Sequence, residues 1–536
     1  MALWSRDPLD RTLLGFRPTL ARQIERRFGG WRHQYNEPDP ARPERLETPK
    51  RVAVIGGGLA GFGAASLLAE RGYEVVLIEK QETLGGKIRA WRQTLSDGSE
   101  AMVEHGFHAF FRHYYNLTEF LERLGIYQEL ASIEDYLILG LDGKQHGFLE
   151  SETVPVLNIM GLARQGVFKW RDVLLSPAVK HMDVLLRYNP ETTFDELDDL
   201  SFAEFARIAE LPRGLMLSFN TFARAFFAEE DRMSMAELVK SFHFYYLSQP
   251  AGLLYEYPVA DYNTAVVNPI LAHLTERGVA VRPGTSVVGI DRDGERFVVR
   301  TEGPGSEATT VDAVVLATDV VGARAVAEGA PWLDEASPEV AGKLKALEPS
   351  QRYAVLRIWT DTDLPEDMPL FVITERRRAL DAIALYHRFD PDCAAWAKPR
   401  GGAVLELHCY AVPDDLEEEA IHAQMLEELA HFFPHTRGQR IIREYMQINK
   451  NFSAFHVGMR AARPVTETGV PGFYLAGDWV KLGLPVMLME AAYTSGVLAA
   501  NAVLRESGLR EQQVWSVPPR GIMDGVPKAP WAPSYK

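Results

Sequence analysis

The chain has 536 residues, 46% of them apolar, ample for one large core or two medium ones. Its formal charge of -16 argues against nucleic acid as a partner, since phosphate would be repelled. Cys393 and Cys409 are its two cysteines and no CxxC occurs, which argues against a disulfide framework and against a metal site.

No apolar run reaches the roughly 18 residues that a membrane span needs. The opening MALWSRDPLDRTLLGF lacks the compact apolar core of a secretory signal. The expectation is a cytoplasmic protein, with peripheral contact to the inner membrane surface open to it. Residues 1–36 run against the acidic trend. They carry Arg6, Arg11, Arg17, Arg22, Arg26, Arg27 and Arg32, interleaved with Trp4, Leu13, Phe16, Ile24 and other apolar residues. Such a segment can lie on an anionic membrane. The better-founded alternative is an extension that packs on the domain surface through salt bridges. Glu37–Lys50, rich in proline and charge, reads as a linker.

The first strong pattern is RVAVIGGGLAGFGAASLLAERGYEVVLIEK, from Arg51 to Lys80. A short β-branched run, a glycine turn, a helix-forming stretch ended by Gly72 and a second apolar run ending in Glu79 make a strand–turn–helix–strand unit. Gly56, Gly58 and Gly61 stand in GxGxxG register. Gly56 permits the tight turn, Gly58 lets backbone approach a pyrophosphate, and Gly61 lets helix and strand pack closely. The helix N-terminus faces the anion, and Glu79 can accept bonds from ribose hydroxyls. This is a dinucleotide site.

Directly after the acid comes Lys80 and then QETLGGKIRAW, in which Gly85, Gly86, Lys87 and Arg89 bring further amides and positive charge to the same pyrophosphate. The arrangement resembles the flavin-containing amine oxidase and carotenoid desaturase superfamily. That resemblance implies FAD as cofactor, with Glu79 on its ribose. It also implies that the strand-rich stretch from Gly278 to Asp319 returns to the FAD domain with Val287 beside the adenine. GFYLAGDWVKLGLPVMLMEAAYTSG, from Gly472, is similar to the segment that sets Asp478 on the ribityl hydroxyls or pyrophosphate. A helix starting near Pro485 then brings Val486 and Met487 to the flavin pyrimidine edge, where its N-terminus would stabilise negative charge. No second GxGxxG appears, so electrons are expected to enter from the substrate and leave to oxygen, a quinone or another acceptor.

Between these motifs, VEHGFHAFFRHYYNLTEF packs histidines among aromatic residues from Val103 to Phe120. It reads as a loop over the cofactor, with Glu104, His105 or His108 available as a general base; an aromatic core segment is the structural alternative. The EHGFHAFF and SFHFYYLSQPAGL segments resemble the FAD-dependent carotenoid desaturase family, in particular β-carotene desaturase/methyltransferases of the isorenieratene synthase type. Residues 104–270 are dense in helical patterns, with Thr193 or Asp195 and Ser201 as caps. Phe219, Phe222, Phe226, Phe227, Phe242, Phe244, Tyr245 and Tyr246 suit either an apolar tunnel or a plain core. Val154–Trp170 could be an interfacial helix that admits a lipid-soluble substrate. From 325 to 450, YAVLRIW, LFVITE and GAVLELHCYAV look like strands, followed by the helix EEEAIHAQMLEELAHFF.

The expected fold is α/β: a Rossmann-type FAD-binding domain assembled from discontinuous segments, 50–103, 275–325 and 455–505, with a mixed α+β substrate domain, 104–274 and 326–454. Residues 1–49 and 506–536 would flank it as a basic extension with linker and a Pro-rich tail. The expected reaction is desaturation of a long apolar substrate, a carotenoid by resemblance, through hydride transfer to flavin N5 and loss of a proton to one base. An FAD-dependent desaturase or isomerase of an unsaturated acyl lipid and a flavin amine oxidase remain the alternatives.

Overall fold

Five short apolar runs form the first layer of the computed structural model, which describes residues 29–147 and 176–535 apart from Glu134, Tyr136, Ala251, Gly305, Ala529 and Ala532. The basic segment up to Phe28 and Val154–Trp170 lie outside the described residues. In sheet order the five strands are Ala280–Arg282, Glu74–Ile78, Arg51–Ile55, Ala313–Leu316 and Phe473–Leu475, all parallel. The inner strands are almost fully buried, as a parallel sheet covered on both faces requires. In chain order the arrangement is third, second, first, fourth, fifth. The winding therefore reverses between Arg51–Ile55 and Ala313–Leu316, and a crevice opens at their C-terminal ends, where ligands of such sheets bind.

The glycine-led helix Leu59–Glu70 is apolar all round because it is buried all round. It packs against Leu488–Glu506, and two glycines permit the approach. A Cβ on Gly496 would lie 2.0 Å from the Ala60 carbonyl oxygen, and one on Gly63 would lie 2.9 Å from that of Tyr493. The second helix begins at Leu488, not near Pro485, with Met487 extended as its N-cap. In its first turn Glu490 is buried and accepts from the backbone amides of Asn116 (2.9 Å) and Leu117 (3.1 Å). It thus caps the helix Tyr115–Arg123.

A second sheet has seven strands in the order Ile441–Asn449, Tyr353–Thr360, Ala403–Cys409, Ala382–Leu385, Phe371–Thr374, Leu137–Leu139 and Gln145–Gly147. Its pleat sorts the side chains. Leu356, Ile358, Leu405 and Leu407 join Ile421, Met425 and Leu429 of the helix Glu418–Phe432 in a separate core. Tyr353, Val355, Arg357, Glu406 and His408 alternate with these leucines along their strands, and Arg357 stands opposite Glu406 in register. Ile441–Asn449 escapes a sequence reading because it is half-buried along its whole length, with no apolar alternation.

Short helices cover the remaining side. Ser201 and Glu204 form a reciprocal cap on Phe202–Ile208, whereas Thr193 and Asp195 fall inside Thr192–Leu197 rather than capping it. The helix Met235–Phe242 runs into a wider π-type turn, His243–Leu247. The two ends of the described chain meet: His33–Gln34 pairs antiparallel with Trp515–Ser516, and Arg32 lies 4.1 Å over the Trp515 ring.

The helix contact gives a stability test. Gly496→Ala should cost about 1–3 kcal/mol through overpacking and lower Tm. Gly342→Ala, at an open helical site, should be neutral or stabilise by about 0.5–1 kcal/mol. Thermal unfolding of both variants checks the contrast.

Candidate active site

One cavity of about 1170 Å³ begins at the crevice of the parallel sheet and ends against the second sheet. It exceeds the roughly 300–1,000 Å³ of an ordinary small-molecule site, so there is space for more than one ligand. At its first end lie Gly56, Gly58, Glu79, Lys80 and Gly86. At the other, Tyr353, Val355, Phe371, His408 and Tyr410 make a floor, and Phe222, Phe226, Phe227, Tyr245 and Tyr246 make a wall. The π-type turn brings those two tyrosines to the cavity. Phe219, Phe242 and Phe244 belong to the core alone.

The glycine end is a cradle. Gly56 has φ +111°, and a Cβ there would lie 2.5 Å from the Ala317 carbonyl oxygen. A Cβ on Gly61 would lie 1.9 Å from the Gly56 carbonyl oxygen, so this residue serves the turn and does not line the cavity. Gly58 differs: its only near neighbour would be the Gly86 Cα at 3.6 Å. The two glycine motifs therefore face each other across the same space. The helix starting at Leu59 has no side-chain cap and no acid in its first turn, which leaves its amides for an anion. The Glu79 carboxylate is fixed by the amides of Gly57 (2.8 Å) and Gln81 (2.9 Å) at the cavity edge. Lys87, Arg89, Val287 and Asp478 also line the cavity. These residues fit FAD: an open backbone cradle, basic side chains and an oriented acid lie along one elongated space.

Val486 and Met487 are not on this cavity. They border a void of about 10 Å³ with Lys240, Arg460 and Arg463. Leu488 and Met489 face the main cavity instead. Leu488 has φ +49° and Phe227, also on the cavity, has φ +59°. Such conformations cost about 1–3 kcal/mol each and persist where packing over-determines them.

The Glu104–Phe111 loop separates its three candidates. Glu104 is buried, is not on the cavity, and is committed: Oε2 accepts from Arg357 Nη2 at 2.8 Å and Oε1 from the Tyr262 amide at 3.3 Å. Burial pushes it up to about 7 even with Arg357 beside it. His105 lines the cavity with its ring nitrogens 2.7 and 3.0 Å from the Tyr353 hydroxyl, and burial draws it well below the usual histidine range. His108 also lines the cavity. Its Nδ1 donates to the Gly106 carbonyl at 2.6 Å, which leaves Nε2 unprotonated, and burial draws the ring down to about 4.

Beneath this loop lies a cluster that no glycine or histidine motif announces. Arg357 is shared between Glu104 and Glu406, whose Oε2 accepts from Nη2 at 2.5 Å and Nε at 2.8 Å. Burial alone would raise Glu406, yet Arg357 and His408 hold it down to about 2. The signal was a charge inside an apolar β run, in YAVLRIW and AVLELHC.

A family model described as flavin containing amine oxidoreductase matches residues 59–504. A carotenoid phi-ring synthase of Streptomyces griseus is 35% identical over 88% of this chain and 90% of its own length. A carotenoid phi-ring synthase of Chlorobaculum tepidum is 28% identical over 89% and 92%. A 15-cis-phytoene desaturase of an Oncidium hybrid cultivar is 25% identical over 87% and 79%. Among solved structures, an oxidoreductase from Methanosarcina mazei superposes with a TM-score of 0.59 at 16% identity, covering 84% of this chain and 99% of that one. A putrescine oxidase bound to putrescine gives 0.60 at 13%, covering 85% and 99%. At those identities the two structures speak to fold alone.

Because protein atoms leave Gly58 room, Gly58→Ala should fold normally and still lose most of its flavin. The absorbance ratio at 450 and 280 nm measures this, and full occupancy would remove Gly58 from the cofactor site.

Proposed function

The chain belongs to the flavin-containing amine oxidoreductase family, and we propose that its substrate is a carotenoid, desaturated at adjacent carbon atoms. It is an FAD-dependent oxidoreductase acting on CH–CH bonds. The observation that carries the substrate reading is the continuous cavity that joins the glycine cradle to an aromatic wall and floor. A long conjugated hydrocarbon offers no polar groups to bind, so it is held by burial against such surfaces.

In this reading Gly58, Gly86, Glu79, Lys87 and Asp478 hold FAD, which supplies a hydride acceptor at N5. Phe227 stacks on Phe452 at 3.8 Å between ring centres, and Lys87 Nζ lies 4.9 Å over Phe452. This stack fixes one side of the space between cradle and floor and helps to exclude water. The loop brings His105 and His108, which burial keeps neutral, to the same space, so no fixed positive charge from these rings opposes the hydrocarbon. The floor of Tyr353, Val355 and Phe371 orients the hydrocarbon. Electrons then leave to oxygen, a quinone or another acceptor. Acyl-lipid and amine substrates are not favoured, because curated relatives matched over most of their length are carotenoid phi-ring synthases and phytoene desaturases. No helix among the described residues is long and apolar enough to cross a membrane. Peripheral contact with a lipid surface remains part of the proposal, supported by the solubility of the substrate.

Mass spectrometry of lipids from cells with and without the gene tests the reading. A carotenoid with fewer hydrogens, or with aromatic rings, should appear only with the gene. A change confined to acyl chains would move the substrate to membrane lipids.

A further inference from the structure

Desaturation releases a proton, and two neighbouring strands build an acceptor for it that the loop histidines do not match. On Ala403–Cys409 the pleat turns Glu406 and His408 to one face. His408 lines the cavity, and its Nε2 lies 3.1 Å from Glu406 Oε1. The approach is off the N–H axis, as catalytic pairs often are before substrate is bound. Glu406 cannot swing away. Arg357 grips Oε2 with two nitrogens, the Phe107 amide donates to Oε1 at 3.0 Å, and Arg357 is itself tied to Glu104.

The other ring nitrogen of His408, Nδ1, has no hydrogen-bond partner among the described residues. The residue beside it is Gly106, with φ +131°, where a Cβ would lie 3.3 Å from Cε1 and 3.7 Å from Nδ1. The glycine of EHGFHAFF therefore keeps this edge of the ring clear. His108 lacks such backing, because its Nδ1 is bonded to a carbonyl rather than a carboxylate. His105 is engaged by the Tyr353 hydroxyl.

We propose that His408 is the proton acceptor of the reaction and that Glu406 and Arg357 are its positioning residues, an assignment that rests on the desaturase reading. In the step, a C–H bond breaks on the carbon next to the one that has lost hydride. Its electron pair becomes the second bond of the new C=C, and the proton goes to Nδ1 of His408. The charge gained by the ring is balanced by Glu406. The other charged or titratable groups around His408 are Arg357 and Glu104 behind Glu406, His108 and Lys87 across the loop, Tyr410 on the same strand segment, and Asp381, whose amide donates to the His408 carbonyl and whose carboxylate is held by Arg224 and Arg376.

The test is anaerobic bleaching of the flavin in the FAD-loaded full chain, with β-carotene or the acyclic lycopene as probe. His408→Ala should keep its flavin, bleach about 10²–10⁴-fold more slowly because a cation that cannot lose its proton returns the hydride, and recover in part with added imidazole, more so as pH rises and more of that imidazole is neutral. Glu406→Gln should keep its flavin and the carotenoid concentration that gives half-maximal bleaching while lowering the maximal rate severalfold, with Glu406→Asp recovering part of it. A wild-type rate in His408→Ala, or an unchanged maximal rate in Glu406→Gln, overturns the base assignment and spares the desaturase reading. Failure of both carotenoids to bleach the wild-type flavin overturns both.

Discussion

One guanidinium holds the business side of this protein together. Arg357 is buried between Glu104 and Glu406, and those acids belong to different parts of the chain: the strand that enters the aromatic loop and the centre of the seven-stranded sheet. Its ring-facing side lies 3.8 Å over Tyr386. Removing one member of such a group leaves an uncompensated charge inside, at a cost of about 3–5 kcal/mol. The arrangement persists because every partner is bonded twice or more. Its consequence is positional: loop, floor and His408 are fixed relative to one another before any ligand enters.

The parallel sheet provides the matching constraint at the other end. Its strand order reverses at one place, and the Gly58 and Gly86 motifs converge there with the Ala317–Asp319 and Gly477–Asp478 turns. Helix amides and small residues leave a shaped space for phosphate, while Glu79 is held by backbone amides. Cradle and floor are thus built by different sheets, and the cavity between them is the span over which cofactor and hydrocarbon must meet. Glu490 links the two halves less directly: it lies in the first turn of the helix whose start borders the cavity, and it caps the helix that follows the aromatic loop.

Much of this was legible in the sequence where chemistry is local. The GxGxxG register, the acid at 79 and the Gly85–Gly86 pair declare their turn by residue type and spacing alone. The origin of the sheet in separated segments came from the resemblance to the carotenoid desaturase superfamily, because short apolar runs do not by themselves say which strands they pair with. What could not be read was long-range. Arg357, Glu406 and His408 are ordinary members of β runs until strand pairing sets Arg357 opposite Glu406. Glu104 looked available in sequence because its partner lies 253 residues away. Val486 and Met487 were placed one turn too early because Pro485 reads as a helix start, whereas the helix waits for the strained Leu488. Tyr245 and Tyr246 depend on a π-type turn that no side-chain periodicity encodes.

If one cavity brings a carotenoid C–H bond to the flavin, a crystal structure of the FAD-loaded protein soaked with a carotenoid should show the polyene running from the Tyr353–Tyr410 floor to the flavin ring, with its reacting carbons beside His408. Density for the carotenoid elsewhere on the protein, with the cavity closed to it, would rule that arrangement out.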